Sequence, residues 1–338
     1  MDLVSLAEWS RYVVGLALFG YLASWLAFNS EMGIRTRIQR ERTALEVQEA
    51  EPALVGDAEP DRAGVSTTGD GDDSRQLLGD LGERAESRHR LGNAAFIVAT
   101  AILAVGVVMR GVGVSRTPWS NMHEFSITAA LVMSIVYIAV SRTNSARATA
   151  RVVGPWVAVI AFVTLGLAVT FVYVPPGPLV PSLQSYWLVI HVGLAVTAFG
   201  LFAVAAVTNT LQIIAERAER RGSTGKGGFV SSLPRSSLLD RLAYRLTAVA
   251  FPIWTAGPLI LGAVWAEVSW GRYWNWDPKE VWALITWLVY AAYLHAHATA
   301  GWKGSKASVV ALIGFATALF SYFGVNIFFT SEHSYGGL

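Results

Sequence analysis

Apolar runs of near-membrane length alternate with short polar breaks along the 338-residue chain. The pattern predicts eight spans at roughly 10–28, 91–109, 125–141, 152–172, 186–208, 246–266, 281–298 and 308–330. Each run approaches the ~20 residues that cross a hydrocarbon core. Backbone polar groups in lipid must be satisfied within the segment, so the spans are read as helices, and no alternating strand pattern competes with them. The fold class expected is an all-α polytopic integral membrane protein. Asp2 and Glu8 precede the first run where a cleaved signal peptide carries basic residues, so residues 1–28 are read as an N-terminal transmembrane anchor.

Charge placement orients the spans. With the N-terminus outside, the segments 29–90, 142–151, 209–245 and 299–307 face inward and hold 21 of the 26 Lys and Arg residues. That asymmetry is what the positive-inside rule expects, and it places both termini on the extracytoplasmic side. Residues 29–90 form the first inner segment. Their stretch EVQEAEPALVGDAEPDRAGVSTTGDGDDSR is polar and acidic, a composition that cannot bury enough apolar surface to offset its ordering entropy, so a disordered cytoplasmic linker is expected there. A second polar stretch, RRGSTGKGGFVSSLPRSS, reads as a flexible loop between spans five and six, and it lacks the spacing of a phosphate loop. The absence of cysteine excludes disulfides, thiolate metal sites and thiol exchange carried by this chain.

The run WGRYWNWDPKE, Trp270 to Glu280, joins spans six and seven on the outer side. An interfacial aromatic belt accounts for tryptophans at membrane boundaries. Here, however, three fall within seven positions of one loop, beside Gly271 and Pro278, which suggest a defined backbone. Asp277, Lys279 and Glu280 are expected to cap or pair within it. His191 lies just inside the outer end of span five, and His333 just past the outer end of span eight. Two histidines from separate helices beside a tryptophan-rich platform fit axial ligation of a haem, with indole faces covering the porphyrin and Arg272, Lys279 or Arg116 near its propionates. His295 follows the start of span seven by fourteen residues, about 21 Å down a helix, and is an intramembrane functional candidate. His297 points to another face, His89 is expected to be solvated between Arg88 and Arg90, and His123 in SNMHEF is left unassigned.

The loop has the form WGxxWxWDxxE, supplied by Trp270, Gly271, Trp274, Trp276, Asp277 and Glu280. With the continuation VWALITWLVYAAYLH and the ending LFSYFGVNIFFTSEHSYG, it resembles the CcsA (ResC) family of system II cytochrome c biogenesis proteins. The resemblance covers spans two to eight, so 91–338 is read as a haem-handling transmembrane domain with its tryptophan-rich loop at 265–282. It implies haem b carried as ligand or substrate, bound by the motif residues with His191 and His333 as outer axial ligands. It also implies a second, intramembrane site at His295, completed by a separate CcsB (ResB) partner, and an apocytochrome c with a CxxCH motif as acceptor. Haem lyase activity is then expected only in complex with that partner, in a bacterial plasma membrane. No residue of this chain is obliged to act as general acid or base, and no nucleic-acid partner is implied.

Two other classes compete. A haem b electron-transfer subunit often pairs histidines thirteen or fourteen apart on one helix, a spacing absent here. An ion-coupled transporter using His295 as a relay needs buried carboxylates, of which Glu267 is the main candidate.

Overall fold

The computed structural model describes residues 2–54, 68–177, 184–222, 228–299 and 302–332. Eight helices in it are long and apolar enough to cross a membrane. They are α1 (Leu3–Leu54), α2 (Thr68–Gly113), α3 (Met122–Arg142), α4 (Arg147–Thr170) and α5 (Tyr186–Arg220), then α6 (Ser236–Trp270), α7 (Pro278–Ala298) and α8 (Ser305–Phe328). No strand occurs among the described residues, and the protein is an all-helical, multi-pass membrane protein.

The helices form two packed groups that share α3 and α5. One buries Tyr21, Phe28, Phe96, Tyr137 and Leu165 between α1, α2, α3 and α4. The other buries Phe125, Phe202, Trp254, Tyr290 and Tyr293 between α3, α5, α6, α7 and α8. Phe202 and Tyr290 stack 3.8 Å apart at its centre. Trp254 Nε1 donates to Ala283 O at 3.1 Å and Trp287 Nε1 to Thr255 Oγ1 at 2.9 Å, which fixes the register of α6 against α7.

Two helices change pitch on the side that carries the tryptophan loop. α6 passes through a π-helical turn at Thr255–Leu261, and α8 through another at Phe320–Gly324. Pro252 and Pro258 lie in α6 and remove two backbone donors, which favours local rewinding over a regular ladder. π-turns of this kind concentrate at functional sites.

Where it is described, the segment 29–90 is helical. α1 continues as helix to Leu54 and α2 begins at Thr68, so helix replaces linker over 29–54 and 68–90, while residues 55–67 lie outside the described residues. At 52 residues, α1 spans about 78 Å, far more than a hydrocarbon core of ~30 Å. The composition that suggested disorder is also rich in Glu, Arg, Gln and Ala, which favour helix. Long-range ion pairs anchor its base. Glu31, 2% exposed, accepts from His89 Nδ1 and Arg35 Nε, each at 2.7 Å, and pairs with Arg151 of α4. His89 is therefore not solvated: its Nε2 also meets Asn93 Nδ2 at 2.8 Å. The loop between α5 and α6 is described outside 223–227. It contains a 3₁₀ turn at Phe229–Ser232, and Glu219 accepts from Ser236 N at 2.8 Å to start α6.

Candidate functional site

Three local devices shape the loop between α6 and α7. At the end of α6, Gly271 takes left-handed backbone (φ 70°) and its N–H closes on Glu267 O at 2.8 Å, a conformation that favours glycine. α7 opens with Pro278 in its first turn behind Asp277 as N-cap, in a capping box with Glu280. Asp277 Oδ1 accepts from Lys279 N at 3.0 Å, and Glu280 Oε2 accepts from Asp277 N at 3.1 Å.

Glu280 Oε2 also accepts from Asn275 N at 2.9 Å, so one carboxylate holds the amides on both sides of Trp276. Trp276 has φ 57°, left-handed backbone that costs a bulky residue about 1–3 kcal/mol. The clamp offsets that cost and leaves the ring 71% exposed. The C-terminal segment is tied to the same turn. Glu332 N donates to Asp277 Oδ2 at 2.8 Å, and the Glu332 carboxylate pairs with Arg272. His333, the next residue in sequence, lies outside the described residues.

The loop forms one wall of a partly open cavity of about 160 Å³. Trp274 and Lys279 come from the loop side, Trp119 and Asn121 from the segment before α3, Trp254 and Trp265 from α6, and Tyr322 from α8. Trp265 is 1% exposed and packs edge-on against Trp270, with ring centroids 4.7 Å apart. On the opposite wall Tyr322 stacks on Phe125 at 3.7 Å and donates its hydroxyl to Asn121 O at 3.2 Å.

His191 projects from the start of α5 into this cavity. Its Nδ1 meets Gly257 O at 3.1 Å. A carbonyl only accepts, so Nδ1 carries the proton and Nε2 is the lone-pair nitrogen of the neutral ring. The acceptor belongs to the π-turn of α6, where Gly262 N also reaches back to Gly257 O. The imidazole lies nearly parallel to Trp265, with centroids 5.8 Å apart and 6° between planes. Gly262 makes the approach possible: a Cβ there would stand 2.9 Å from His191 Cε1. Two cavity residues, Trp119 and Asn326, carry buried polar atoms (Nε1 and Oδ1) without a partner among the described residues. Such atoms are rare in folded proteins.

A buried charge cluster supports the far wall. Arg110 and Glu124, both 0% exposed, pair at 3.0 Å, and Arg116 meets the same carboxylate at 2.7 Å. Ser120 N donates to Glu124 Oε2 at 3.0 Å, which fixes the segment carrying Trp119 and Asn121. His123 is buried beside this cluster, where its Nδ1 donates to Ala168 O at 2.9 Å.

Of the residues predicted from sequence, His191, Trp274 and Glu280 line the cavity. Trp270 backs Trp265, while Gly271 and Asp277 shape the turn. His295 is not in the cavity. It sits in the last turn of α7 on an exposed face, about 26 Å from Pro278. Its neighbour His297 is held inside, 3.1 Å from Asp240 and stacked on Tyr244 at 4.3 Å. Arg272 and Arg116 are engaged by Glu332 and Glu124, and Lys279 is the cation of the cavity wall, 5.6 Å over the Tyr322 ring. Trp265 opens the 265–282 segment read from sequence, whereas Trp119, Trp254 and Tyr322 come from three separate elements with no local motif; SNMHEF and LFSYFG are the nearest signals.

Residues 119–333 match the family described as Cytochrome C assembly protein. The chain is 35% identical over 272 residues to the cytochrome c biogenesis protein CcsA of Parasynechococcus marenigrum, covering 74% of this chain and 88% of that one. It is 33% identical over 302 residues to CcsA of Gloeobacter violaceus (74% and 87% covered), and 33% identical over 276 residues to CcsA of Guillardia theta (77% and 90%). Among solved structures it is similar in fold to the cytochrome c haem lyase CcmF, with a TM-score of 0.55 and 18% identity. That likeness covers 98% of this chain and 48% of that one, so the chain spans about half the length of the solved protein.

Proposed function

The chain belongs to the cytochrome c assembly protein family, and from that premise we propose that it holds haem at the outer face of a membrane and presents it to an apocytochrome c. The observation that carries the reading is His191. Its proton is committed to Gly257 O, so Nε2 is the nitrogen able to ligate iron, within a cavity walled by indole and phenol rings. The orphaned Trp119 Nε1 and Asn326 Oδ1, set in a wall of aromatic rings, fit a large, flat, mostly apolar ligand with polar substituents.

His333 is the proposed second axial ligand, supported by the bond from Glu332 N to Asp277, which brings the preceding residue to the loop. Lys279 is the proposed partner of a propionate. The reaction adds each thiol of an acceptor CxxCH motif across a haem vinyl group, the sulfur bonding to carbon and the thiol hydrogen saturating the double bond. Both thiols belong to the acceptor, since this chain has no cysteine. The chain contributes ligation, orientation and exclusion of water and oxidants. His295, exposed near the inner end of α7, is proposed to share a second haem with a separate CcsB-type partner, with the termini outside a bacterial plasma membrane.

Co-expression with such a partner and a CxxCH apocytochrome tests the reading. Covalently attached haem on the acceptor is the expected product, and its absence with all three proteins present contradicts the proposal. Asp277→Ala is expected to weaken the start of α7 by about 1 kcal/mol and to release the Glu332 tether. Attachment then falls more steeply than thermal stability, a comparison made on the same preparations. Gly262→Ala is expected to push the His191 ring from its stacked position and lower haem affinity about 10- to 100-fold, as for other losses of ligand support. Haem titration of the purified variant measures it.

A further inference from the structure

A second cavity, of about 430 Å³, opens at the opposite end of the bundle between α2, α3 and α4. Arg90, Arg142, Arg147 and Arg151 line it, with Glu86 as the only carboxylate among the described lining residues. Glu86 is spent on Arg151 at 2.7 Å, and Arg151 also serves the buried Glu31. Arg90, Arg142 and Arg147 are exposed and pair with no carboxylate among the described residues. Arg142 ends α3 and Arg147 begins α4, so the short turn between the two helices brings both arginines to the same end of the cavity. Beyond the arginines the lining turns apolar at Ala94, Ile97 and Ile138, and Ile97 is 38% exposed.

We propose that this cavity binds the phosphate of an anionic phospholipid of the inner leaflet, with three unpaired arginines around the headgroup and an acyl chain along Ala94, Ile97 and Ile138. Basic pockets between transmembrane helices recognise anionic headgroups in this way. The apolar floor distinguishes the site from one for a free anion, because inorganic phosphate has nothing to place there. The inference rests on the fold and on the charge of this cavity, and it is independent of the haem site.

The test is native mass spectrometry of the full chain, equilibrated in mixed micelles containing phosphatidylglycerol or phosphatidylcholine, with and without inorganic phosphate. Retention of phosphatidylglycerol over phosphatidylcholine, undisturbed by inorganic phosphate, is the expected result. Each arginine near an anionic headgroup contributes about fivefold, so Arg90→Gln, Arg142→Gln and Arg147→Gln combined are expected to lower retention roughly 100-fold. Lysine at the same three positions keeps most of it. Arg217→Gln, Arg235→Gln and Lys303→Gln, which remove equal charge elsewhere on the same side, leave it intact. Equal retention of both lipids by the unmodified chain overturns the proposal, as does displacement by inorganic phosphate, or an equal loss in the two glutamine sets.

Discussion

His191→Ala is expected to lower the affinity of the tryptophan-walled cavity for haem by more than about 100-fold, since losing only the support of a ligating histidine costs 10- to 100-fold. The variant removes the imidazole whose Nδ1 is held by Gly257 O and leaves space against Trp265. Added imidazole is therefore expected to enter that space and restore part of the haem binding and of cytochrome c maturation. Titration with haem, with and without imidazole, separates loss of a ligand from loss of fold. A general folding defect is not rescued by imidazole. Unchanged affinity in His191→Ala removes the assignment.

Glu124→Ala is expected to have the largest effect on stability. The carboxylate is fully buried and meets Arg110 and Arg116, with Ser120 N and Oγ also donating to it. Removing one member of a buried pair leaves charge uncompensated, and the cost is about 3–5 kcal/mol. Two guanidiniums share this carboxylate, and Arg110 Nη1 already lacks a partner among the described residues, so no neighbour takes over. Glu124→Gln keeps the shape and some hydrogen bonds and falls between the two. Thermal unfolding of the detergent-purified variants gives the order wild type, then Gln, then Ala. A Glu124→Ala protein as stable as wild type contradicts the role given to the cluster.

The two predictions concern opposite walls of one cavity, and the sequence exposed those walls unequally. The eight spans are legible because apolar runs of the right length have one solution in lipid. The turn devices are legible too, since Gly271, Asp277, Pro278 and Glu280 act within a few residues of one another. What stays hidden depends on distance along the chain. His89 looks solvated between two arginines until α1 brings Glu31 to it from 58 residues away. The ends of α1 and α2 are polar enough to pass for a linker, although the same Glu, Arg and Gln side chains stabilise helix. The π-turn that offers Gly257 O to His191 leaves only two prolines as a trace. Trp119, Trp265 and Tyr322 meet only once three elements pack.

The central claim, a histidine-ligated haem against the tryptophan loop, is tested most directly by the absorption spectrum of the purified chain, alone and with the proposed CcsB-type partner, oxidised and then reduced. The expected result is a Soret band with sharp reduced α and β bands that weakens in His191→Ala. A colourless protein in both preparations contradicts the account and returns the loop to an interfacial aromatic belt.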